Sequence, residues 1–170
     1  MSKQINKWEN AYSKGKHNSV WPWNDIISLF YRNLGKKIKN KNIKVLELGC
    51  GVGANIPFIE SLGLNYYGID GSTTAINRLK KKYKNTAKNF CVADFTNFIP
   101  LNFPNKFDII FDRAAITHND SDGIKKTINN IKLHMAKDGH FVGVMWFSTD
   151  HSAFKKGIKT NDKYTKTNLP

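Results

Sequence analysis

The segment KVLELGCGVGANI, residues 44–56, decides the fold of this chain. Its first five residues are apolar except for Lys44 and Glu47, which is typical of a strand buried on both faces. Gly49, Gly51 and Gly53 follow at alternate positions before a helical pattern starts. Glycine lets another group come close to the backbone, because it has no Cβ. The arrangement indicates a phosphate or nucleotide-cofactor site, or only close packing of the following helix.

The remaining sequence alternates short apolar runs with amphipathic ones. Alternation of this kind predicts an α/β fold, an open, mainly parallel, doubly wound Rossmann-like sheet of about five strands with helices on both sides. The predicted strands are 42–48, 65–69, 89–93, 106–111 and 140–148. The predicted helices are 22–37, 55–63, 72–83 with Ser72 as N-cap, and about 120–137 with Gly139 as its stop. No strand pattern follows Ser148, so a C-terminal antiparallel hairpin is expected to be missing.

These elements predict three regions. Residues 1–42 are an N-terminal helical lid or cap segment, 43–150 the cofactor-binding core, and 151–170 a polar tail that is either disordered or truncated. Without further strands the fifth strand lies at an open edge, which is a pairing hazard. We therefore expect either a monomer or a homodimer that covers this edge.

Composition narrows the class of protein. The 170 residues carry a net charge of +14, with lysines spread along the chain and dense only at 35–44 and 78–85. This dispersion favours a compositional bias over a nucleic-acid surface, although RNA stays an alternative partner. No apolar run reaches the length of about 20 residues that a spanning helix needs, so no membrane partner is expected. Two cysteines form no disulfide framework, no His/Cys cluster has metal spacing, and the N-terminus lacks a signal-peptide core, which predicts a soluble, cytoplasmic protein without a metal.

Acidic residues mark the ends of the first three strands. Glu47 precedes the glycines, Asp70 ends the second strand, and Asp94 with Phe95 ends the third. With these residues the chain resembles the class I S-adenosylmethionine-dependent methyltransferases. The segments that carry the resemblance are VLELGCGVG (45–53), YYGIDGS (66–72) and VADF (92–95), and it extends from about residue 8 to 148.

The resemblance implies S-adenosyl-L-methionine as cofactor. Asp70 is expected to accept hydrogen bonds from the two ribose hydroxyls, and Asp94 to accept one from the adenine amino group. Phe95 is expected to lie against the adenine base. The three glycines let the backbone approach the cofactor, and Glu47 orients the glycine loop or a nearby cation. Two features argue against a dehydrogenase. Glu47 would bring a carboxylate near the phosphates of the dinucleotide, and the chain has no second half-domain to bind the nicotinamide. The P-loop pattern of nucleoside-triphosphate-binding proteins is absent.

The methyl acceptor is less constrained by the sequence. The DRAA segment, residues 112–115, resembles thiopurine-methyltransferase-like enzymes rather than the N/D-P-P-Y/F segment of enzymes that methylate exocyclic amines of bases. The N-terminal segment with Trp8, Tyr12, Trp21 and Trp23 resembles their tryptophan-bearing leader and also sugar-modifying methyltransferases. Trp21 is assigned to the cofactor wall on this basis. The alternative is that these aromatics only attach the first helix to the sheet.

The candidate catalytic residues are Asp112, Arg113 and His118. His118 is either a general base or a histidine that caps the following helix. Arg113 either holds an acidic acceptor or the cofactor carboxylate, or anchors a loop to Asp112 or Glu47. The expected function is methyl transfer to an oxygen of a small molecule or carbohydrate. The alternatives are an RNA methyltransferase and a non-catalytic or truncated cofactor-binding module.

Overall fold

A computed structural model describes residues 3–97, 99–144 and 147–167. Its centre is a five-stranded sheet of order β3-β2-β1-β4-β5, in which every neighbouring pair is parallel. The strands are β1 Lys44–Leu48, β2 Asn65–Asp70, β3 Phe90–Val92, β4 Phe107–Arg113 and β5 Met135–Val144. The predicted α/β architecture is confirmed.

Six α-helices accompany these strands within the described residues. They are α1 Lys3–Ser13, α2 Asn24–Leu34, α3 Ile56–Ser61, α4 Thr73–Lys82, α5 Ser121–His134 and α6 Ser152–Lys156. The predicted N-cap of α4 is confirmed, because the Ser72 hydroxyl accepts a hydrogen bond from the Ala75 amide at 3.1 Å. Short 3-10 turns lie at Lys37–Lys39, Lys84–Asn89 and Ile116–His118.

Both faces of β1 are covered, as its apolar sequence predicts, whereas much of the edge strand β5 is exposed. Val45 of β1 belongs to one core with Phe30 of α2, whereas its neighbour Leu46 belongs to the other core with Ile131 of α5. Successive residues of a strand point to opposite faces, so β1 contributes to both layers. The amphipathic helix predicted ahead of β1 thus packs on the sheet through its apolar side.

Parallel pairing brings the carboxyl ends of the strands together. Leu48 is level with Ile69 of β2 and with Asp112 of β4, so the glycine loop, Asp70 and the end of β4 share one edge. Binding sites of open parallel sheets lie at this edge. A surface depression of about 550 Å³ lies at the opposite end of the strands and is lined mainly by Lys36, Lys37, Asn40, Ile43, Asp108, Ala136, Lys137 and Asp138.

The boundary between α5 and β5 differs from the prediction. The helix ends at His134 rather than near Lys137, and Met135 already pairs with Phe107 of β4. Gly139 lies within the strand and is not a helix stop. Met135 continues the apolar face of α5 in the sequence, but pairing with β4 takes it into the sheet.

The chain after Ser148 also differs from the prediction, because it forms α6 and a short antiparallel pair, β6 Ile158–Lys159 with β7 Lys166–Thr167. The Asp162 carboxylate holds this segment to α5 by accepting a hydrogen bond from the Ser121 amide at 2.6 Å. The pair is separate from the main sheet, so within the described residues β5 pairs with β4 alone.

Two parts of the predicted elements, 145–146 in the fifth strand and 168–170 in the tail, lie outside the described residues. Within the described part of the chain, no helix combines the length and apolar character needed to cross a membrane.

Candidate functional site

The glycine loop turns sharply at the end of β1. Gly49, Gly51 and Gly53 have φ values of 70°, 53° and 82°, in the left-handed region that favours glycine. The amides of Gly49 and Cys50 both donate to the carbonyl oxygen of Ile69, at 2.8 and 3.0 Å. The loop is therefore attached to the end of β2.

Protein groups lie close to each of these glycines. A Cβ on Gly53 would lie 2.5 Å from Ile56 and 2.6 Å from Leu79, which is the close helix packing that the sequence left open. A Cβ on Gly49 would collide with the methyl group of Ala115, after β4.

The third contact involves the N-terminal helix. A Cβ on Gly51 would collide with the hydroxyl of Tyr12 in α1. Gly51 is thus required by a helix that comes from outside the sheet's strand–helix repeats.

Asp70 lies where the sequence predicts it, at the end of β2. Its Oδ2 accepts from the Gly51 amide and its Oδ1 from the Ser72 amide, both at 2.8 Å. Burial raises the pKa of this carboxyl, and the two amide hydrogen bonds oppose that rise. An ionised carboxylate has about four lone-pair sites, so each oxygen retains capacity for one ribose hydroxyl. The carboxylate therefore fits the expected ligand group while it also shapes the glycine loop.

Glu47 is buried beneath the loop. Its Oε2 accepts from the Tyr66 hydroxyl at 2.5 Å and its Oε1 from the Asn55 amide at 2.8 Å. The Oδ1 of Asn55 accepts in turn from the backbone amide of Trp23 at 3.2 Å. Burial raises the pKa of Glu47 to about 8, and the charge of Asp112 adds to the rise. These contacts connect β1 to the starts of α2 and α3, which agrees with an orienting role.

Asp94 and Phe95 follow β3 at the same edge. Asp94 accepts from the Thr96 amide at 3.0 Å, from the Thr96 hydroxyl at 2.7 Å and from the Asn97 side chain at 3.1 Å. The ring of Phe95 lies 3.8 Å from the place where a Cβ of Gly49 would be. Asp94 thus anchors a turn that holds an aromatic ring beside the glycine loop.

Asp112 is fully buried at the end of β4. Its Oδ1 accepts from the amides of Ala115 and Ile116, at 2.8 and 3.0 Å. Ala114, which precedes these two residues, has a φ of 59°, an uncommon conformation for a residue with a side chain. The carboxylate therefore holds the turn that presses Ala115 against Gly49.

Arg113 points towards α2. Its guanidinium carbon lies 3.6 Å from the centroid of the Trp23 ring, and its Nε lies 3.6 Å from Oδ2 of Asp25. Asp25 is thus an ion-pair partner of Arg113 that the sequence analysis did not name, and the anchors Asp112 and Glu47 stay predictions. Stacking on an indole suits the planar guanidinium.

His118 is half-buried after the turn that follows β4. Its ring centroid lies 5.0 Å from Trp8 of α1 and 5.8 Å from Phe147, in both cases edge to face. Burial lowers its pKa, and the electrostatic effects of Lys7 and His17 lower it further, which favours the neutral imidazole. The side-chain cap of α5 is instead Asp120, which accepts from the Gly123 amide at 2.8 Å.

Helix α1 supplies contacts that the sequence analysis missed. The Glu9 carboxylate accepts from the Ser72 hydroxyl at 2.6 Å, from the Thr74 amide at 3.1 Å and from the Thr74 hydroxyl. Ile5 lies against Gly71, since a Cβ there would be 2.8 Å from its side chain. The spacing of residues 5, 9 and 12 on one helical face was the available signal. Their partners, at the carboxyl ends of β1 and β2, are distant in sequence.

Two further predictions concern Trp21 and metals. The side chain of Trp21 is 76% exposed, and its place in a cofactor wall stays a prediction. Among the described residues, no group of three or more His, Cys, Asp or Glu side chains is placed to hold a metal ion.

Comparisons with known proteins agree with this geometry. A family described as a methyltransferase domain matches residues 39–169. The PH0226 protein from Pyrococcus horikoshii OT3 is 26% identical with a TM-score of 0.55, over 70% of this chain and 56% of that one. An S-adenosylmethionine-dependent methyltransferase from Clostridium acetobutylicum is 20% identical with a TM-score of 0.52, over 71% of this chain and 56% of that one. DhpI, solved as a complex with SAH, is 19% identical with a TM-score of 0.54, over 83% of this chain and 67% of that one.

The chain thus spans little more than half the length of the Pyrococcus and Clostridium structures. No curated protein sequence matches it. The similarity to the Clostridium structure and to DhpI, at 20% and 19% identity, shows a shared fold and nothing beyond it. Because the family match runs from residue 39 to residue 169, through every strand of the sheet and the edge at which Asp70 lies, this chain belongs to the methyltransferase domain family.

Proposed function

We propose that this protein transfers a methyl group from S-adenosyl-L-methionine to an oxygen of a small-molecule acceptor. The observation that carries the proposal is the pair of hydrogen bonds from Gly51 and Ser72 to Asp70. They fix a carboxylate at the carboxyl-end edge of a methyltransferase-type sheet, beside the glycine loop that follows β1. The cofactor supplies an activated methyl group on a positively charged sulfur, and a negatively charged edge suits that charge.

The cofactor's ribose is assigned to Asp70, its adenine to Asp94 and Phe95, and its methionine portion to the backbone of the glycine loop. Asp70 has the remaining acceptor capacity that a ribose diol requires. Phe95 has its ring beside Gly49, where it offers an apolar wall to the base. Glu47 and Asp112 act as positioning residues, because their carboxylates are buried and bonded to groups of the loop and turn.

The N-terminal segment is proposed as a lid. Helix α1 contacts the glycine loop through Tyr12, the start of α4 through Glu9 and the turn after β4 through Trp8. With these contacts in place Asp70 is only 6% exposed. Exchange of cofactor and product therefore requires α1 to move, and a closed α1 keeps water away from the transferred methyl group.

His118 is proposed as the base that takes the proton of the acceptor hydroxyl. A neutral imidazole is the proton-accepting form, and burial and its charged neighbours favour that form. Three lysines, Lys36, Lys37 and Lys137, border the surface depression at the end of the strands opposite to Asp70. This separation favours a small acceptor over RNA.

Calorimetric titration with S-adenosylhomocysteine tests the cofactor assignment. The wild-type protein is expected to bind, and Asp70→Ala to lose at least tenfold in affinity, since two charge-assisted hydrogen bonds are removed. Asp122→Ala is the matched control, because its side chain is 82% exposed on α5. An Asp70→Ala protein that is folded by circular dichroism and binds as tightly as Asp122→Ala would overturn the assignment.

A further inference from the structure

A row of five aromatic and imidazole rings leads outward from the glycine loop. It consists of His17, Trp8, His118, Phe147 and His151, and is called the aromatic rim below. Successive ring centroids are 5.2, 5.0, 5.8 and 6.3 Å apart. The rim combines residues from α1, from the turn after β4 and from the segment after β5.

The rim is continuous with the proposed cofactor site on two sides. Trp8 lies 6.3 Å, ring to ring, from Tyr12, whose hydroxyl touches Gly51. His118 belongs to the same turn as Ala115, whose methyl group faces Gly49. An acceptor in contact with the rim would thus be next to the transferable methyl group.

The rim is also open to an incoming molecule. Phe147 is 51% exposed, and its amide is held by the Thr117 hydroxyl at 3.0 Å, which fixes its position beside His118. His17 and His151 are exposed, whereas Trp8 and His118 are half-buried. Half-buried rings in the middle of the row and exposed rings at both of its ends form a wall that the closed lid does not cover completely.

The charges at the rim suit an acceptor that becomes anionic. The groups that lower the pKa of His118 besides burial are Lys7 and His17, and no carboxylate contributes among the described residues. A neutral imidazole can accept a proton from an acidic hydroxyl, and the Lys7 ammonium stabilises the oxyanion that results. A phenolic hydroxyl, with a pKa of about 10, is within reach of such a base, whereas an ordinary sugar alcohol is far less acidic.

We propose that the aromatic rim binds a planar aromatic acceptor with an acidic hydroxyl. The proposal rests on the proposed function and narrows its acceptor from small molecules or sugars to phenol-like compounds. In the reaction the hydroxyl proton goes to His118 and the acceptor oxygen forms the new bond to the methyl carbon. The methyl carbon–sulfur bond breaks with its electron pair left on sulfur, which becomes a neutral thioether.

The test uses 4-nitrophenol as probe, because its phenolate absorbs visible light and its phenol does not. The full chain is saturated with S-adenosylhomocysteine, and its binding is checked by calorimetry. At a pH below the probe's own pKa, wild-type protein is expected to bind the probe and to raise its ionised fraction. An excess of methyl glucoside is expected not to displace it.

Two variants and one control locate the effect. Trp8→Leu is expected to weaken probe binding about tenfold, as the loss of an aromatic contact does. His118→Gln is expected to retain most of the affinity but to lose the increase in ionised probe. His140→Gln, at an exposed histidine in the middle of β5, is expected to behave as wild type.

The outcomes separate this inference from the proposed function. If S-adenosylhomocysteine binds but 4-nitrophenol does not, or if Trp8→Leu binds the probe as tightly as His140→Gln, the aromatic-acceptor assignment is overturned and the proposed cofactor site stands. Displacement of the probe by methyl glucoside would also overturn it, in favour of a carbohydrate acceptor. Absence of S-adenosylhomocysteine binding would overturn the proposed function itself.

Discussion

The hydroxyl of Tyr12 lies against Gly51, in the space that a side chain at position 51 would need. This contact joins α1 to the loop that follows β1, although the two residues are in different parts of the fold. The glycine at this position therefore accommodates the N-terminal helix as well as the turn.

Gly51→Ala is expected to displace α1. The new methyl group collides with Tyr12, and the left-handed backbone conformation adds about 1 kcal/mol of strain. Amide hydrogen exchange over residues 3–13 should become faster, and the melting temperature should fall. Exchange monitored by mass spectrometry would measure the first effect and calorimetry the second.

Gly63→Ala is the matched control for this change. Gly63 has a φ of 70°, and its nearest neighbour is the flexible side chain of Lys41, so the substitution adds strain without a rigid clash. It should lower the melting temperature but leave exchange in α1 unchanged. Equal exchange in α1 for the two variants would contradict the role of the Tyr12 contact.

Glu9→Gln is expected to loosen the same helix at a second contact, one helical turn before Tyr12. The hydroxyls of Ser72 and Thr74 donate to the Glu9 carboxylate and lower its pKa, so the ionised form is the one that holds α1 on α4. Its contribution is present above the ordinary carboxyl pKa and is lost as the pH falls through the lowered value. The protection of the α1 amides of the wild-type protein, relative to their intrinsic exchange rates at each pH, should therefore decrease in acid, and that of Glu9→Gln should be low already at pH 7. Glu60→Gln, an exposed glutamate on α3, should retain the wild-type profile.

Glu47 should make the protein less stable at alkaline pH. Burial raises its pKa to about 8, so the folded state holds its proton more tightly than the unfolded chain, and stability falls as the pH rises from the ordinary carboxyl range to about 8. Glu47→Gln keeps an acceptor for the Tyr66 hydroxyl but has no charge to bury. Its melting temperature should exceed that of the wild type at pH 9, and the difference should shrink towards pH 5. A difference that is constant between these pH values would show that the Glu47 charge plays no part.

Asp112→Ala is expected to destabilise the fold by about 2–4 kcal/mol, because the buried amides of Ala115 and Ile116 lose their acceptor. Asp112→Asn retains one carbonyl oxygen as an acceptor, so its loss of unfolding free energy should be about half of that of Asp112→Ala or less. Chemical unfolding measures the free energy of both variants. Asp108→Ala, which removes a single hydrogen bond to the Lys44 amide at the opposite strand end, should cost about 1 kcal/mol. A stable Asp112→Ala protein would contradict the positioning role.

The sheet could be predicted because its information is local. Each strand is a short apolar run bounded by polar or glycine-rich residues, and the capping residue Ser72 acts within its own turn. The end of α5 could not be predicted in this way. Met135 fits the apolar face of the helix, and only pairing with Phe107, 28 positions earlier in the chain, takes it into β5.

The same distinction between local and long-range information applies to the candidate site. Asp70, Asp94 and the glycines lie at strand ends, which the alternation of elements places at one edge. The contacts of Glu9 with Ser72 and of Arg113 with Trp23 and Asp25 join segments more than 60 residues apart. No periodicity in the sequence predicts which distant side chains form such contacts.

The single direction of the five strands also separates two sets of polar side chains. The buried carboxyl groups of Glu47, Asp70 and Asp112 gather at one end, and Lys36, Lys37 and Lys137 border the depression at the other. A polyanion that binds these three lysines is therefore held away from the edge at which Asp70 lies, and increasing salt would release it without disturbing that edge.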